Sequence, residues 1–434
     1  MKRILVAGVL VGIILLTQYF TTNVSPTAEA TFIAGLILLG GHIAGYLLSR
    51  IGLPRITGYL GLGILLGPQS LAVIDPETAT RLGFLKELAV AFIALAAGAE
   101  LRLQQLRERI GTILSLTLSM AGFVSVSVFS FFFLVGSHFL PASTHMGEME
   151  KAAVAVLLGI LAVARSPSSA LAVIRECRAR GQFPETVLGV TVALDVLSIV
   201  LFALGLSVCQ ALVSSTVDLG FALTVGAELI GGVAMGLLLG AALAFYIGKV
   251  LGHLPLLLLG TALVVTHVAH GIADYVRDTH ELPLHLEPLL ICVTAGFTVR
   301  NLSAGGDRFA EAIHSVSLPI FVLFFCLAGA SLDLQSLRTT WAAALLYVVV
   351  RGASLFGSCW FAARHDEDGA WYGISFLTQA GVSLGLALEV VRRFPDWGAV
   401  FATIAVAAIS INQLIGPVAM KLALQSAHTS QTRS

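Results

Sequence analysis

The sequence has few charged residues and no long polar segment. Only 12% of its 434 residues are Asp, Glu, Lys or Arg, whereas 57% are hydrophobic. The stretches between apolar runs reach at most about twenty residues, so the sequence predicts no separate soluble domain. Apolar runs of roughly 17 to 25 residues recur along the chain instead, and this composition is typical of an integral membrane protein.

The common signatures of enzymes and of nucleic-acid-binding proteins are also missing. The sequence contains no HExxH, GxSxG or Walker loop, and no basic patch long enough to bind nucleic acid. Its five cysteines stand singly within apolar runs, without CxxC or metal-ligand spacing, which indicates small core residues. We therefore expect a protein that is not an enzyme and that needs no metal or cofactor.

Fourteen apolar segments predict an all-α polytopic membrane protein with 13 or 14 transmembrane helices. The segments are residues 4–20, 30–49, 55–74, 83–103, 111–140, 152–177, 185–213, 219–250, 254–275, 286–301, 318–337, 341–363, 369–391 and 398–424. The first resembles a signal peptide, with Lys2, Arg3 and a later Ala28-Glu29-Ala30, but the distance between its apolar core and that site favours a retained helix. We divide the chain into an extra N-terminal segment (1–29), one membrane unit (30–424) and a short tail (425–434).

The distribution of Lys and Arg predicts the orientation of the chain. If the N-terminus is cytoplasmic, the cytoplasmic termini and loops contain 16 basic residues and the opposite loops contain 7. Basic residues accumulate on the cytoplasmic side of membrane proteins, so we expect both termini to be cytoplasmic and the protein to lie in the plasma (inner) membrane. The remaining two basic residues, Arg165 and Arg351, fall inside apolar segments.

An internal repeat indicates a transporter. The fourth segment ends AGAELRLQQLR (97–107) and the eleventh ends AGASLDLQSLR (328–338), with eight identities in eleven at a constant offset of 231. The two segments are seven helices apart, and an odd separation reverses the direction across the bilayer. This arrangement predicts an inverted repeat, with a first repeat at about 30–215 and a second at about 250–424.

The repeat pairs two segments that are both interrupted by polar residues. The sixth contains Arg165-Ser166-Pro167-Ser168-Ser169, and the thirteenth, its repeat partner, contains Gln379-Ala380-Gly381. Proline removes a backbone donor and clashes with the preceding turn of a helix. Non-helical backbone at membrane depth is tolerated only where it is buried or lines a cavity, so Pro167, Ala380 and Gly381 predict two discontinuous helices at a binding site.

Four ionisable side chains are predicted to lie near the middle of the bilayer: Arg165, Asp195, Glu228 and Arg351. Asp195 is ten residues beyond Glu185, about 15 Å along a helix. A charged group at this depth costs roughly 2.5–3.5 kcal/mol on insertion scales, so these side chains should face the protein interior. Two positive and two negative charges can pair, either as a structural lattice or as part of a transport site, and Glu228 with Arg351 is one such pairing.

The sequence resembles the monovalent cation:proton antiporter superfamily from about residue 30 to 424. The motifs that carry the resemblance are LPRITGYLGLGILLGP (53–68), LAAGAELRL (95–103), ARSPSSALAVIRECRARGQFPETVLGVTVALDVLSIVLFAL (164–204), FFCLAGASLDL (324–334) and LTQAGVSLGLAL (377–388). The resemblance implies a homodimer whose protomers have a dimerisation domain and a core domain with two crossing discontinuous helices. It also implies that Asp195 binds the proton and the cation alternately, and that Arg351 is its basic partner.

The resemblance further implies that Ser166 and Pro167 belong to the first unwound segment and Gln379 to Gly381 to the second. We expect Ser166, Ser168 and Gln379 to contribute polar atoms to the ion site, and Arg165, Arg351 and Glu228 to compensate charge. The predicted substrates are H+ and Na+ or K+, with membrane lipid as the surroundings.

Two residues depart from the family pattern. Many relatives have two adjacent acids, or Asn then Asp, where this chain has Leu194-Asp195, and a single carboxylate favours one-for-one exchange. Many relatives also have a threonine where Arg165 stands. A guanidinium about 4 Å from a bound cation would repel it by about 4 kcal/mol at an effective dielectric constant of 20. Arg165 must therefore either turn toward the carbonyls at a helix C-terminus or pair with Asp195 in one state.

These observations predict secondary active exchange of a monovalent cation for H+ by alternating access at Asp195. Two other functions remain open from the sequence. One is a membrane sensor or scaffold that has the antiporter fold and does not transport. The other is symport of an organic anion, in which Arg165 would bind the anion.

Overall fold

The computed structural model describes residues 26–136, 146–214, 219–249, 253–280, 288–332, 334–364, 368–379 and 382–431. Within these ranges the chain is almost entirely α-helical and has no β-strand. The predicted apolar segment at residues 4–20 lies outside the described residues, as do Ala380 and Gly381.

The first repeat region contains nine α-helices, with a short π-helix between α5 and α6. Their bounds are α1 (Pro26–Ser49), α2 (Arg55–Leu66), α3 (Pro76–Arg81), α4 (Gly83–Glu100), α5 (Leu103–Ser119), the π-helix (Met120–Val124), α6 (Ser125–Leu134), α7 (Glu148–Leu161), α8 (Pro167–Cys177) and α9 (Gln182–Ser214). The π-helix was not predicted.

The remaining described residues form eight further helices. Their bounds are α10 (Leu219–Lys249), α11 (Leu254–His280), α12 (Pro288–Leu302), α13 (Gly306–Ala330), α14 (Leu334–Ala362), α15 (Gly369–Ser375), α16 (Val382–Arg393) and α17 (Gly398–Gln431). The predicted sixth and thirteenth segments are each divided into two helices, α7 with α8 and α15 with α16. The two predicted discontinuous helices are therefore confirmed.

Thirteen of the fourteen predicted segments correspond to helices, and the eleventh shows the largest error in its bounds. The prediction placed it at 318–337, whereas α13 begins at Gly306 and ends at Ala330. The first turns of α13 carry charged residues and were therefore assigned to a loop. Phe309 and Ile313 are nevertheless fully buried in these turns, so one face of the helix packs on the protein while the other carries the polar side chains.

Several helices are long and apolar enough to cross a membrane. In the described part of the chain, seven meet this description: Ala28–Ser49, Arg107–Leu134, Gln182–Gln210, Gly226–Lys249, Gly306–Ala330, Thr340–Ala362 and Gly398–Ala427. Their outer faces expose large apolar side chains such as Leu134, Ile230 and Leu238, each more than 70% accessible. Such surfaces are stable against lipid and unfavourable in water.

The inverted repeat is visible in helix packing. A Cβ atom added at Gly98 of α4 would collide with the carbonyl of Val293 in α12, and one added at Gly296 of α12 would collide with the carbonyl of Leu95. The same reciprocal contact joins α2 and α13 at Gly63 and Gly329, where added Cβ atoms would meet the backbone of Cys326 and Leu60. Gly98 and Gly329 are separated by the repeat offset of 231 residues. The two helix pairs are therefore equivalent under the predicted repeat, as the small-residue packing of membrane helices allows.

The helices fall into two groups by their contacts. Helices α1, α2, α4 and α10–α13 pack mainly on one another, and we call them the glycine-packed group. Helices α5–α9 and α14–α17 also pack mainly on one another, and we call them the interrupted-helix group because they contain both interruptions. The candidate site residues belong to the second group, except for Glu228 on α10.

Candidate functional site

The first interruption separates α7 from α8. Helix α7 ends at Leu161 and α8 begins at Pro167, which needs no intrahelical hydrogen bond at the first helical position. Ser166 is the N-cap residue, and its hydroxyl accepts a hydrogen bond of 3.2 Å from the backbone N–H of Ser169. The Ser166 and Ser168 hydroxyl oxygens lie 3.0 Å apart. The serines of this stretch thus satisfy the new helix start and one another.

The second interruption separates α15 from α16. Helix α15 ends at Ser375 and α16 begins at Val382. Gln379 lies between them and is fully buried. Its side-chain Nε2 donates a 2.8 Å hydrogen bond to the carbonyl of Leu161, the last residue of α7. Gln379 therefore connects the second interruption with the end of the helix that precedes the first.

Arg351 of α14 binds both interruptions. Its Nε donates to the carbonyl of Ala162 at 3.0 Å, its Nη2 to that of Ala164 at 3.4 Å, and its Nη1 to that of Leu377 at 3.0 Å. The side chain is completely buried. Because one guanidinium binds unwound backbone from both repeats, the two interruptions lie next to each other.

Arg165 binds the carbonyls of its own interruption. Its Nη1 donates to Ala162 at 2.7 Å and to Ala164 at 3.0 Å, and its Nη2 contacts the Met120 sulfur of the π-helix at 3.9 Å. The side chain is fully buried. Of the two orientations that the sequence left open, the contacts thus correspond to the one directed at a helix C-terminus. Within the described ranges, neither Arg165 nor Arg351 forms an ion pair.

The two guanidinium groups compensate the C-terminal ends of α7 and α15. Each helix end presents carbonyls without intrahelical partners and a partial charge of about −0.5. Ala162 and Ala164 follow α7, and Leu377 follows α15. Hydrogen bonds from charged donors are stronger than those from neutral donors, which suits groups buried at this depth.

Asp195 lies on α9, which packs against both α7 and α8 and also contacts α16 and α17. Its side chain is only 1% accessible, so it faces the protein interior and not lipid. The hydroxyl of Ser198, one turn later, donates a 2.7 Å hydrogen bond to the Asp195 main-chain carbonyl. The acid is thus presented by the helix that follows the first interruption.

Glu228 lies apart from this arrangement. It is partly buried on α10, which packs mainly on α12 and α9. The predicted pairing with Arg351 is not among the contacts of Arg351, whose described hydrogen bonds go to carbonyl oxygens.

The sequence analysis missed Asn412 of α17. Its Nδ2 donates a 2.9 Å hydrogen bond to Oε1 of Gln379, and the side chain is fully buried. The signal that could have identified it is an uncharged amide within an apolar helix, in the segment paired with that of Asp195 by the repeat.

A cavity of about 830 Å³ opens at one end of the helix bundle. It is lined by the ends of α4, α8 and α12 and the starts of α5, α9 and α13, and we call it the charged cavity because Glu100, Arg109, Glu185, Arg300 and His314 are among its lining residues. The deepest α9 residue that lines it is Leu188, seven residues before Asp195. That separation corresponds to about 10 Å along the helix.

An ion pair joins the two helix groups beside this cavity. Arg175 at the end of α8 lies 3.1 Å from Glu100 of α4. Within the glycine-packed group, Glu100 also lies 3.3 Å from His314 of α13. The next residue, Glu176, accepts a 2.6 Å hydrogen bond from the backbone N–H of Arg55 at the start of α2. The last turn of α8 is thus held to the glycine-packed group by polar side chains.

Comparison with known proteins identifies the family. A family model described as "Sodium/hydrogen exchanger, transmembrane" matches residues 35–421. Among curated proteins, the chain is similar to the Na(+)/H(+)-K(+) antiporter GerN of Bacillus cereus, with 31% identity over 180 residues. That match spans 41% of this chain and 43% of GerN, so it covers less than half of that relative.

The fold is also shared with a solved antiporter. Two structures of the sodium proton antiporter MjNhaP1 from Methanocaldococcus jannaschii are similar to this chain, each over 92% of this chain and 96% of MjNhaP1. The structure determined at pH 8 has a TM-score of 0.62 at 17% identity, and the electron-microscopy structure has 0.71 at 18%. This likeness establishes the fold. The family model and the apolar helices identify a multi-pass membrane protein.

Proposed function

The chain belongs to the sodium/hydrogen exchanger family, and on that premise we propose that it exchanges a monovalent cation, Na+ or K+, for H+ at Asp195 by alternating access. The observation that carries this proposal is the position of Asp195. It is a buried acid on the helix that packs against both halves of the first discontinuous helix. A buried carboxylate is stable when it is protonated or when it binds a cation, and these two states are the ones that exchange requires.

The arginines support this role because they are engaged elsewhere. Arg165 and Arg351 bind carbonyl oxygens at the ends of α7 and α15. Their positive charges therefore stabilise unwound backbone and do not compete with a cation for the Asp195 carboxylate. The Ser166 and Ser168 hydroxyls and Gln379 are the polar groups from which we expect further oxygen ligands.

The proposed cycle uses one carboxylate. Deprotonated Asp195 binds a dehydrated cation on one side of the membrane, and protonation on the other side releases it. The site crosses the membrane in either loaded state with its charge compensated. Because Leu194 precedes Asp195, no second acid adjoins it, and we propose one cation per proton.

The charged cavity supplies access from one side. It reaches to within about 10 Å of Asp195 along α9. Its lining residues include Arg102, Arg109, Arg180 and Arg300. The excess of basic residues supports a cytoplasmic location for this side, and we propose that the described C-terminal helix α17 ends there. We further propose a homodimer in the plasma membrane, with no cofactor.

The proposal is tested in proteoliposomes that contain a pH-sensitive dye. Addition of Na+, K+ or Li+ to the wild-type protein should produce a cation-dependent pH change, and Asp195→Asn should abolish it while the protein remains folded. Asp75→Asn is the matched control, because it makes the same chemical change at a helix N-cap outside the spanning helices. Proton-coupled flux that survives in Asp195→Asn would contradict the proposal. A wild-type protein without any cation-dependent signal would favour the non-transporting sensor, and flux that follows an organic acid would favour symport.

A further inference from the structure

Asn412 occupies in α17 nearly the position that Asp195 occupies in α9. Each helix follows one of the two interruptions, and the repeat pairs them. Asp195 is thirteen residues beyond Gln182, the first residue of α9, and Asn412 is fourteen residues beyond Gly398, the first residue of α17. Both side chains are buried. The first repeat thus presents an acid, and the second presents a neutral amide, at equivalent depths.

Hydrogen bonds connect Asn412 to both interruptions. Its Nδ2 donates to Oε1 of Gln379 in the second interruption at 2.9 Å, and Nε2 of Gln379 donates to the carbonyl of Leu161 at the end of α7 at 2.8 Å. This chain of two amides spans from the last helix of the second repeat to the first discontinuous helix.

The Leu161 carbonyl determines the orientation of both side-chain amides. The Leu161 carbonyl can only accept a hydrogen bond, so Gln379 must direct its NH₂ group toward it. Oε1 of Gln379 then faces Asn412 and requires a donor, which Asn412 Nδ2 provides. Oδ1 of Asn412 is therefore the remaining acceptor, and it is buried with no hydrogen-bond partner among the described residues.

An amide oxygen held in this way suits a metal cation. Buried acceptors without a donor destabilise a fold, so their retention calls for an explanation. Hard cations bind carboxylate and amide carbonyl oxygens, and rings of neutral carbonyls replace the hydration shell of K+ in channels. A neutral oxygen adds affinity for a cation without adding a proton-binding group.

We propose that Asn412 is a cation-binding residue of the second repeat: its Nδ2 fixes Gln379, and its Oδ1 coordinates the dehydrated monovalent cation that Asp195 binds. This inference rests on the proposed exchange at Asp195. It assigns the proton to the first repeat and part of the cation's coordination to the second.

The test compares Asn412→Leu with Gln413→Leu. Gln413 is the adjacent buried amide on α17, and its Oε1 also has no hydrogen-bond partner among the described residues. It differs from Asn412 in that Asn412 is the residue hydrogen-bonded to Gln379. Asn412→Leu should raise the KM for the cation by about fivefold to tenfold. This is the effect of losing one or two contacts that are each about as strong as a hydrogen bond. Its kcat should stay within about twofold of wild type, because Asp195 still carries the exchange. Gln413→Leu should leave KM near the wild-type value.

A binding measurement without transport accompanies the kinetics. Saturating cation should raise the Tm of the wild-type protein in detergent, and Asn412→Leu should require about fivefold to tenfold more cation for the same rise. Asn412→Asp loses the hydrogen bond from Nδ2 to Gln379, but it retains an oxygen at this position and adds a negative charge, so its cation affinity should stay above that of Asn412→Leu. This variant keeps the test decisive if Asn412→Leu does not fold.

Three results would overturn the inference. They are an unchanged KM in Asn412→Leu, an equal rise in Gln413→Leu, or a cation affinity for Asn412→Asp as weak as that expected of the leucine variant. Each result is compared with a wild-type protein that responds to the cation, so each would contradict the role of Asn412 and leave the proposed function intact. A wild-type protein with neither exchange nor a cation-dependent Tm removes the proposed function and this inference together.

Discussion

The two repeats each contain one interrupted helix, and the two interruptions differ in their chemistry. The first interruption contains Arg165, a serine cap and Pro167, and the helix after it carries Asp195. The second contains the neutral Gln379, and the helix after it carries Asn412. Arg351 of the second repeat then binds carbonyls from both. The repeat thus positions four helix ends, while side chains that differ between the halves determine what those ends can bind.

The glycine contacts are the closest packing that the two repeats share. Disrupting them should cause the largest loss of stability among the changes considered. Gly98→Val and Gly329→Val should each force apart a pair of helices that touch through backbone, at a cost above about 4 kcal/mol, so that little folded protein is recovered. Gly35→Val is the control, because no atom lies near the added side chain. Yield and monodispersity by size-exclusion chromatography provide the measurement.

Equal losses in both variants would support the repeat. If Gly98→Val behaved like Gly35→Val while Gly329→Val failed to fold, the two halves would not be packed equivalently.

Replacing the two buried arginines should cause intermediate losses of stability, which differ between the repeats. Ala162 and Ala164 each accept from both guanidinium groups, so Arg165→Met leaves both carbonyls with a donor. Arg351→Met removes the hydrogen bond that Arg351 gives to Leu377. We expect destabilisation of roughly 2–3 kcal/mol for Arg351→Met and about 1 kcal/mol for Arg165→Met. Thermal unfolding in detergent measures both.

Exchange rates should follow the same order, because Arg351 binds carbonyls of both interruptions whereas Arg165 binds only those of the first. A larger loss of stability and activity in Arg165→Met than in Arg351→Met would show that charge inside the first repeat outweighs the connection between repeats.

Two helix caps at different depths can be compared in the same way, and one of them has the smallest expected effect on stability. Ser166 caps α8 inside the bundle, and Asp75 caps α3 near the surface, where its carboxylate accepts a 2.7 Å hydrogen bond from the Thr78 N–H. Ser166→Ala should cost about 1–2 kcal/mol and Asp75→Ala about 0.5 kcal/mol. Thermal unfolding of each variant against wild type across a pH series provides the measurement.

The pH dependence distinguishes the two caps. The Thr78 backbone N–H lowers the pKa of Asp75. A lowered pKa means that the Asp75 contribution is present above the unfolded-state pKa of about 3.9 and is lost as the pH falls through the folded-state value. Wild type and Asp75→Ala should therefore converge in acid, whereas the Ser166→Ala difference should persist because a hydroxyl does not titrate there. If the stability of Ser166→Ala also converged with that of wild type in acid, the pH dependence could not be assigned to the Asp75 carboxylate.

The sequence predicted the helices and interruptions because these depend on local chemistry. Long apolar runs and Pro167 act within a few residues, and the repeat of AGAELRL and AGASLDL is visible as letters. The start of α13 was missed because its charged face packs beside a cavity formed by distant segments, and such packing has no local signal.

The burial of the charged side chains was predicted, whereas the neutral Asn412 was not identified. Arg165, Asp195 and Arg351 are conspicuous in apolar segments, and all three are buried. The acceptors of the arginines are backbone carbonyls, which every residue possesses, so the sequence could not choose between a helix end and Asp195 as the partner of Arg165. Asn412 carries no charge and has no spacing motif, and it becomes recognisable only through its bond to Gln379.

Backbone contacts hold the glycine-packed group together, whereas polar side chains hold its border with the interrupted-helix group. This difference indicates where one group can move relative to the other. In α4 and α12, a glycine of each helix packs directly against a backbone carbonyl of the other. Such helices cannot slide past one another without first separating, so they should move as one rigid body. The border between the two groups is held by Glu100 and Arg175, whose long side chains can exchange partners with water. Displacement of one group against the other should therefore follow this border, and its rate should depend on ionic strength, because dissolved salt screens the attractions that resist the movement.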